Sequence, residues 1–348
     1  MARAAGGTRL RTSVIVLLLA ALLAFCLLYS ITVGRYNVGI GDVWRILWDN
    51  VIPAAEPSWT EVEANVVEAI RLPRILAAIL IGAGLSISGA ALQGLFRNPL
   101  VDPSIIGVTS GAGFGGTLAI LLFGGGYPVL GAAFAFGIGS LLAVKFLATV
   151  RGRTSTLTLV LAGVVVAAFF GAAISIVKLL ADPQQKLPAI TYWLMGSIAA
   201  TSYRDLLLMS LSILPAGILI YLLRYQINIL SLGEEKARAL GARIELVQWT
   251  IFAAVSIISA AVVATSGIIG WVGLVIPHMA RTLVGPDHGR LLPVSALLGA
   301  IYLLAVDNIA RTATVAELPI GIITALIGVP IFALILRQMQ SRSGWSHD

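Results

Sequence analysis

Arg71 and Arg74 stand three residues apart at the head of a long apolar run, and Asp307 and Arg311 stand four apart near the end of another. Such spacings put side chains on one helix face, so Asp307 and Arg311 are a ready local ion pair. Arg71 and Arg74 suit two jobs: anchoring at lipid headgroups through apolar stems, or gripping carboxylates through their planar forks. Bond-making chemistry finds less support. No lysine follows a glycine, which removes the phosphate-cradling loop of ATP-binding proteins, and no HExxH pair occurs. The histidines His278, His288 and His347 lack metal-ligand spacing, so no metal site is expected. His288 sits in a Gly-Pro-Asp-His-Gly turn, and His278 follows Pro277 at what reads as a helix break. For His278 a structural role and a pathway role both stay open. Cys26 is the single cysteine, which excludes a disulfide within the chain and a cysteine-based zinc cluster.

The elements that position these residues are membrane helices. Of 348 residues, 58% are hydrophobic and 11% charged, against about 25% charged in soluble domains. The net charge of +7 comes from basic residues scattered singly through short loops, which excludes a nucleic-acid-binding face. Ten apolar runs are expected to cross the membrane: about 14–33, 75–96, 105–124, 127–149, 157–180, 206–224, 247–265, 268–284, 291–309 and 318–336. The first is read as a retained helix, being long for a secretory signal and lacking a small-x-small cleavage site. Ten crossings put both termini on one side. If that side is the cytoplasm, most of the 23 basic residues lie inside, as the positive-inside bias asks. Arg71, Arg74 and Arg311 remain among those outside and need another reason.

Breaks in this pattern carry the rest. After Phe96 come Asn98-Pro99 and Asp102-Pro103. Two X-Pro steps so close free backbone groups that lipid cannot satisfy, so this exit must lie in protein or beside water. It therefore suggests a pathway, and not a plain anchor. Gly82, Ser86 and Ala90 form a small-residue stripe on the preceding helix, suited to close helix packing. The outer segment 35–70 reads as an amphipathic surface helix, with Val43, Ile46, Leu47 and Val51 at helical spacing, or as a solvated loop; an acidic stretch from Pro53 to Glu68 follows. On the inner side, residues 226–246 hold a short helix with Glu234 and Glu235 early, Lys236 and Arg238 late, and Gly233 and Gly241 bracketing it. Thr154, Ser155, Thr156 and Thr158 stand at an inner helix start, where hydroxyls cap backbone N–H groups.

Five segments together resemble one family: RLPRILAAILIGAGLSISGAALQGLFRNPLVDPSIIGVTSGAG, YWLMGS at 192–197, LGEEKARALG, GIIGWVGLVIPHMARTLVGPDHGRLLP at 267–293 and ELPIGIITALIGVP at 317–330. In the same order, over roughly residues 35–337, they resemble the FecCD permeases of type II ABC importers for iron-siderophores, haem and vitamin B12. The resemblance implies an all-α polytopic fold of ten transmembrane helices forming a single permease domain over 1–348, with 1–13 as a cytoplasmic tail, in a bacterial or archaeal cytoplasmic membrane. It implies a second permease subunit, read as a homodimer, two cytoplasmic ATPase subunits carrying ATP and Mg, and a periplasmic or lipoprotein binding protein. No cofactor is expected in this chain, and no enzyme activity of its own. By the same resemblance Gly233, Glu234, Glu235, Arg238 and Gly241 couple to the ATPase, Thr154, Ser155, Thr156 and Thr158 lie at the cytoplasmic gate, and Arg71, Arg74 and Arg311 dock the binding protein from the outer rim. Iron-siderophore is the first reading of the cargo, with haem, cobalamin and molybdate-type oxyanions behind it. An ion-driven secondary transporter would ordinarily carry several carboxylates in its helices, and Asp307 alone lies well inside the assigned runs.

Overall fold

The computed structural model describes residues 2–49, 58–150, 153–314 and 316–342. Val51, Pro53, Glu56 and Pro57 lie outside the described residues, as do the side chains of Arg3, Arg9, Thr154 and Thr156. Eight described helices are long and apolar enough to cross a membrane. They are α1 (Ala2–Thr32), α4 (Leu72–Phe96), α6 (Tyr127–Ala148), α7 (Thr156–Leu180), α9 (Tyr203–Leu222), α12 (Ile244–Ser266), α14 (His288–Thr312) and α15 (Ile320–Arg342). Between them, in chain order, come α2 (Ile40–Asp49), α3 (Glu61–Asn65), α5 (Val108–Phe123), α8 (Lys186–Leu194), α10 (Arg224–Ser231), α11 (Glu234–Ala239) and α13 (Val272–Val284). A two-stranded hairpin, β1 (Thr149–Val150) against β2 (Arg153–Thr154), is the exception to an otherwise helical chain among the described residues.

Two of the ten expected crossings are shorter than their apolar runs. Helix α5 has 16 residues and α13 has 13, or about 24 and 20 Å against a hydrocarbon layer of about 30 Å. Each loses its start to irregular backbone. Before α5, Asp102 accepts the Ser104 N–H at 2.9 Å and opens a tight turn, Pro103–Ile106, closed by Gly107 at φ +78°. Before α13, Gly267 at φ +69° breaks away from α12, and Trp271 caps the new helix at φ +72°. Pro277, read from sequence as a break, instead lies inside α13. Its missing N–H frees the Gly273 carbonyl one turn earlier, and that oxygen has a partner: the Gln93 amide nitrogen at 3.4 Å.

Helices α4 and α12 are interior, whereas α1, α7, α9 and α15 turn most of their apolar residues outward. Without a hydrophobic drive between helices in lipid, close backbone approach supplies the packing, and α4 is built for it on several faces. A Cβ at Gly82 would stand 2.2 Å from the Gly299 carbonyl of α14, one at Gly84 2.8 Å from Ile213 of α9, and one at Gly89 1.8 Å from the Gly273 carbonyl of α13. The expected stripe is therefore packing surface. In the outer segment, α2 buries Val43 and Ile46 with Leu47 packed beside them, and turns Ile40, Trp44 and Trp48 outward. Thr60 and Glu63 then form a reciprocal cap on α3, which runs through a π-helical turn, Val66–Arg71, into α4.

Gly89→Ala should lower the unfolding midpoint in detergent, since overpacking costs about 1–3 kcal/mol and the obstructing atom is backbone. Gly139→Ala, on α6 with nothing within 4 Å of the added methyl, should leave the midpoint unchanged or raise it, with a gain in stability of at most about 1 kcal/mol. Equal midpoints for the two variants would contradict this packing.

Candidate functional site

The three outer arginines converge, but inward. Arg71, Arg74 and Arg311 are each only 4–5% exposed. The Arg74 guanidinium donates from Nε to Asp307 at 2.8 Å, sits 2.8 Å from the same carboxylate through Nη2, and reaches Glu317 through Nη1 at 2.8 Å. Arg311 approaches Asp307 at 3.8 Å and donates to the Ser30 carbonyl at 2.6 Å and to Asn308 Oδ1. Arg71 donates to the carbonyls of Ile31 at 2.6 Å and Tyr36 at 2.5 Å. The cluster thus ties the end of α1, the head of α4, the end of α14 and the approach to α15. Sequence spacing found the Asp307–Arg311 pair, but the shorter contact comes from Arg74, 233 residues away in the chain. An outer-rim position is also corrected: a guanidinium whose donors are spent on the chain's own carbonyls and carboxylates is interior. Arg35 remains exposed at the edge, donating to the Thr314 carbonyl at 2.8 Å.

Deeper in the chain, the irregular starts of α5 and α13 meet around a cavity of about 380 Å³, lined by Asp102, Ser104, Thr109, Ser259, Trp271 and Leu274 among others. The Ser259 hydroxyl is buried and lacks a hydrogen-bond partner. One side chain that sequence reading passed over holds this region together. Gln93 on α4 is 2% exposed; its amide nitrogen lies 3.2–3.4 Å from the carbonyls of Val101, Gly273 and Leu274, and its oxygen accepts from Arg281 at 3.1 Å. A carboxamide inside an apolar run was the available signal, since lipid-embedded polar groups are there for a partner. Toward the outer loops, a wider cavity of about 780 Å³ is lined by Tyr127, Tyr192, Trp193 and Asp205.

On the opposite face, α11 stands between Gly233 at φ +107° and Gly241 at φ +76°. Glu234 and Arg238 pair across one turn at 3.5 Å in the open, Glu235 lies beside them in the first turn, and Ala237 is buried. Leu232 and Leu240, at its two ends, are exposed. Ser155 caps α7, its Oγ accepting the Thr158 N–H at 3.1 Å and touching the Thr158 hydroxyl. Ser155 is thus the cap of α7, and Thr158 supplies the N–H that it accepts.

The FecCD transport family model matches residues 22–338. The chain belongs to this family. A molybdate import system permease protein of Haemophilus influenzae is 41% identical over 92% of this chain and 95% of its own length. A hemin transport system permease protein of Yersinia pestis is 38% identical over 91% of this chain and 95% of its own. The solved structure of a metal-chelate-type ABC transporter, in an inward-facing conformation, superimposes with TM-score 0.83 at 41% identity, covering 93% of this chain and 99% of that one. As a FecCD permease the chain is a multi-pass membrane protein and not itself an enzyme; ATP hydrolysis is carried by separate subunits, and a substrate-binding partner is implied.

The outer cluster yields a stability expectation. Asp307→Ala leaves two buried guanidiniums short of charge and should cost about 3–5 kcal/mol. Glu317→Gln, whose side chain is 26% exposed, should cost about 1 kcal/mol or less. Denaturant unfolding in detergent reads both; a milder effect for Asp307→Ala than for Glu317→Gln would contradict the geometry.

Proposed function

We propose that this FecCD permease passes a metal-bearing cargo, with an iron-siderophore as the first reading, through a pathway that includes the cavity between α5 and α13. The observation that carries the pathway is the meeting of two interrupted helices around hydroxyls and one carboxylate, because irregular backbone survives in lipid only beside protein or water. In this reading α5 and α13 complete their crossings through the irregular segments before them, giving ten crossings with both termini cytoplasmic. Two copies of the chain form the pathway, two ATPase subunits bind below, and a binding protein docks above. Residues 226–246 are the ATPase-coupling loop: the bracketing glycines fix a short rigid turn, and exposed Leu232 and Leu240 offer it apolar contacts. Thr154, Ser155, Thr156 and Thr158 form the cytoplasmic gate. Docking centres on Arg71, Arg74 and Arg311: Arg74 pairs with Asp307 and Glu317, Arg311 faces Asp307, and Arg71 stands beside them on backbone carbonyls. The excess positive charge favours an acidic partner, whose carboxylates compete with the partly exposed Glu317.

A second reading, a molybdate-type oxyanion as cargo, is favoured by the molybdate permease relative and its near-complete coverage. Calorimetric titration of the cognate binding protein with a ferric siderophore, haem, cobalamin and molybdate separates the two. Tightest binding of the ferric siderophore is expected. Tight molybdate binding with no response to the iron chelate would replace the first reading by the second.

A further inference from the structure

Asn228 lies on α10, the helix that leads directly into the coupling turn. Its side-chain oxygen accepts twice from the start of α14, from the His288 backbone N–H at 2.9 Å and from His288 Nδ1 at 2.7 Å. Its amide nitrogen lies 3.4 Å from Asp287 Oδ2. One carboxamide thereby holds the first turn of α14, whose four leading N–H groups have no partner within the helix. The His288 ring, 3% exposed, lies against α4 at Gly94. A Cβ there would stand 2.3 Å from His288 Nε2 and 2.7 Å from Ile227 of α10. Helices α10, α14 and α4 therefore meet at one glycine with no slack, and that glycine directly follows Gln93, the residue that holds the irregular segment after α4 and the start of α13.

We propose that Asn228 is a positioning residue that transmits displacement of the coupling turn to the pathway, through His288 and the α4 contact at Gly94. The proposal rests on reading 226–246 as the ATPase-coupling loop. A push on α11 moves α10 as its covalent continuation. If α10 were held to the bundle by apolar contacts alone, it would slide, since such contacts are non-directional. Two directed hydrogen bonds onto a helix start remove that freedom, and the Gly94 contact passes the movement to α4. From there Gln93 carries it to residues 98–107 and to α13. Arg97 reinforces the route: it ends α4 at φ +52°, and a Cβ on Gly233 would lie 3.2 Å from its Nη1.

The test uses the assembled importer, permease with its ATPase subunits, in nanodiscs. Hydrogen exchange at the amides of residues 98–107 is compared without nucleotide and with ATP and vanadate. The wild-type chain is expected to change its exchange there on trapping. Asn228→Ala should keep the ATPase bound and lose that change. Combining Asn228→Asp with Asp287→Asn keeps an oxygen toward His288 and reverses the 228–287 contact, so that an amide at 287 donates to a carboxylate at 228, and should restore the change; an asparagine that only stabilised the fold would leave the nucleotide-dependent change intact in Asn228→Ala. A wild-type response in Asn228→Ala, or loss of ATPase binding in that variant, overturns the proposal. Gly241→Val tells the two readings apart. A normal response there, beside a lost response in Asn228→Ala, would remove the coupling-turn reading and keep the clamp.

Discussion

A carbonyl deprived of its helical partner inside a membrane bundle has to be answered by some donor, and in this permease the donor is Gln93. Pro277 cannot donate to Gly273, and the amide nitrogen of Gln93 stands 3.4 Å from the freed oxygen while also facing Val101 and Leu274. Leaving such a group unsatisfied costs about 1–3 kcal/mol in a protein interior. The consequence reaches further than one bond. Gln93 belongs to α4, Val101 to the irregular exit from α4, and Gly273 to the start of α13, so one side chain registers both interrupted helices against each other. The cavity between α5 and α13 lies where the two non-helical segments that Gln93 registers come together.

The close fit of α4 makes the registration rigid. Gly82, Gly89 and Gly94 touch α14, α13 and the α10–α14 junction with no room for a methyl group, and packed interfaces of this kind move as units instead of deforming. At the outer end the same helix is held by charge. Burying Arg74 and Asp307 together is expensive, so their contribution lies in fixing geometry more than in net stability. That cluster joins α1, α4, α14 and the approach to α15, and so ties them to the helix that also frames the cavity.

Much of this was legible in the chain. Apolar runs of membrane-spanning length located the helices, and the proline pairs after Phe96 located an interruption, because both signals are local. The cap at Ser155 and the glycine-bracketed turn at 233–241 were equally readable. What escaped depends on partners distant in sequence. Arg74 looked like a rim residue because its counter-ions Asp307 and Glu317 come from the far end of the chain. In the run at 268–284 the break was read at Pro277 and not at its start, since composition does not reveal that Gly267 and Trp271 take positive φ. Gln93 stands out as a carboxamide inside an apolar run and Asn228 looks ordinary, but for both only the carbonyls and N–H groups they meet give them roles.

The central claim is that a water-accessible pathway runs where the interrupted helices meet. The most direct measurement is labelling of single cysteines by a membrane-impermeant maleimide, in a Cys26→Ala background, on the assembled importer in proteoliposomes with and without ATP and vanadate. Thr109→Cys and Ser259→Cys should label in at least one nucleotide state, alongside Tyr203→Cys at the exposed outer end of α9. Labelling of Tyr203→Cys with neither cavity position reacting in any state would contradict the account.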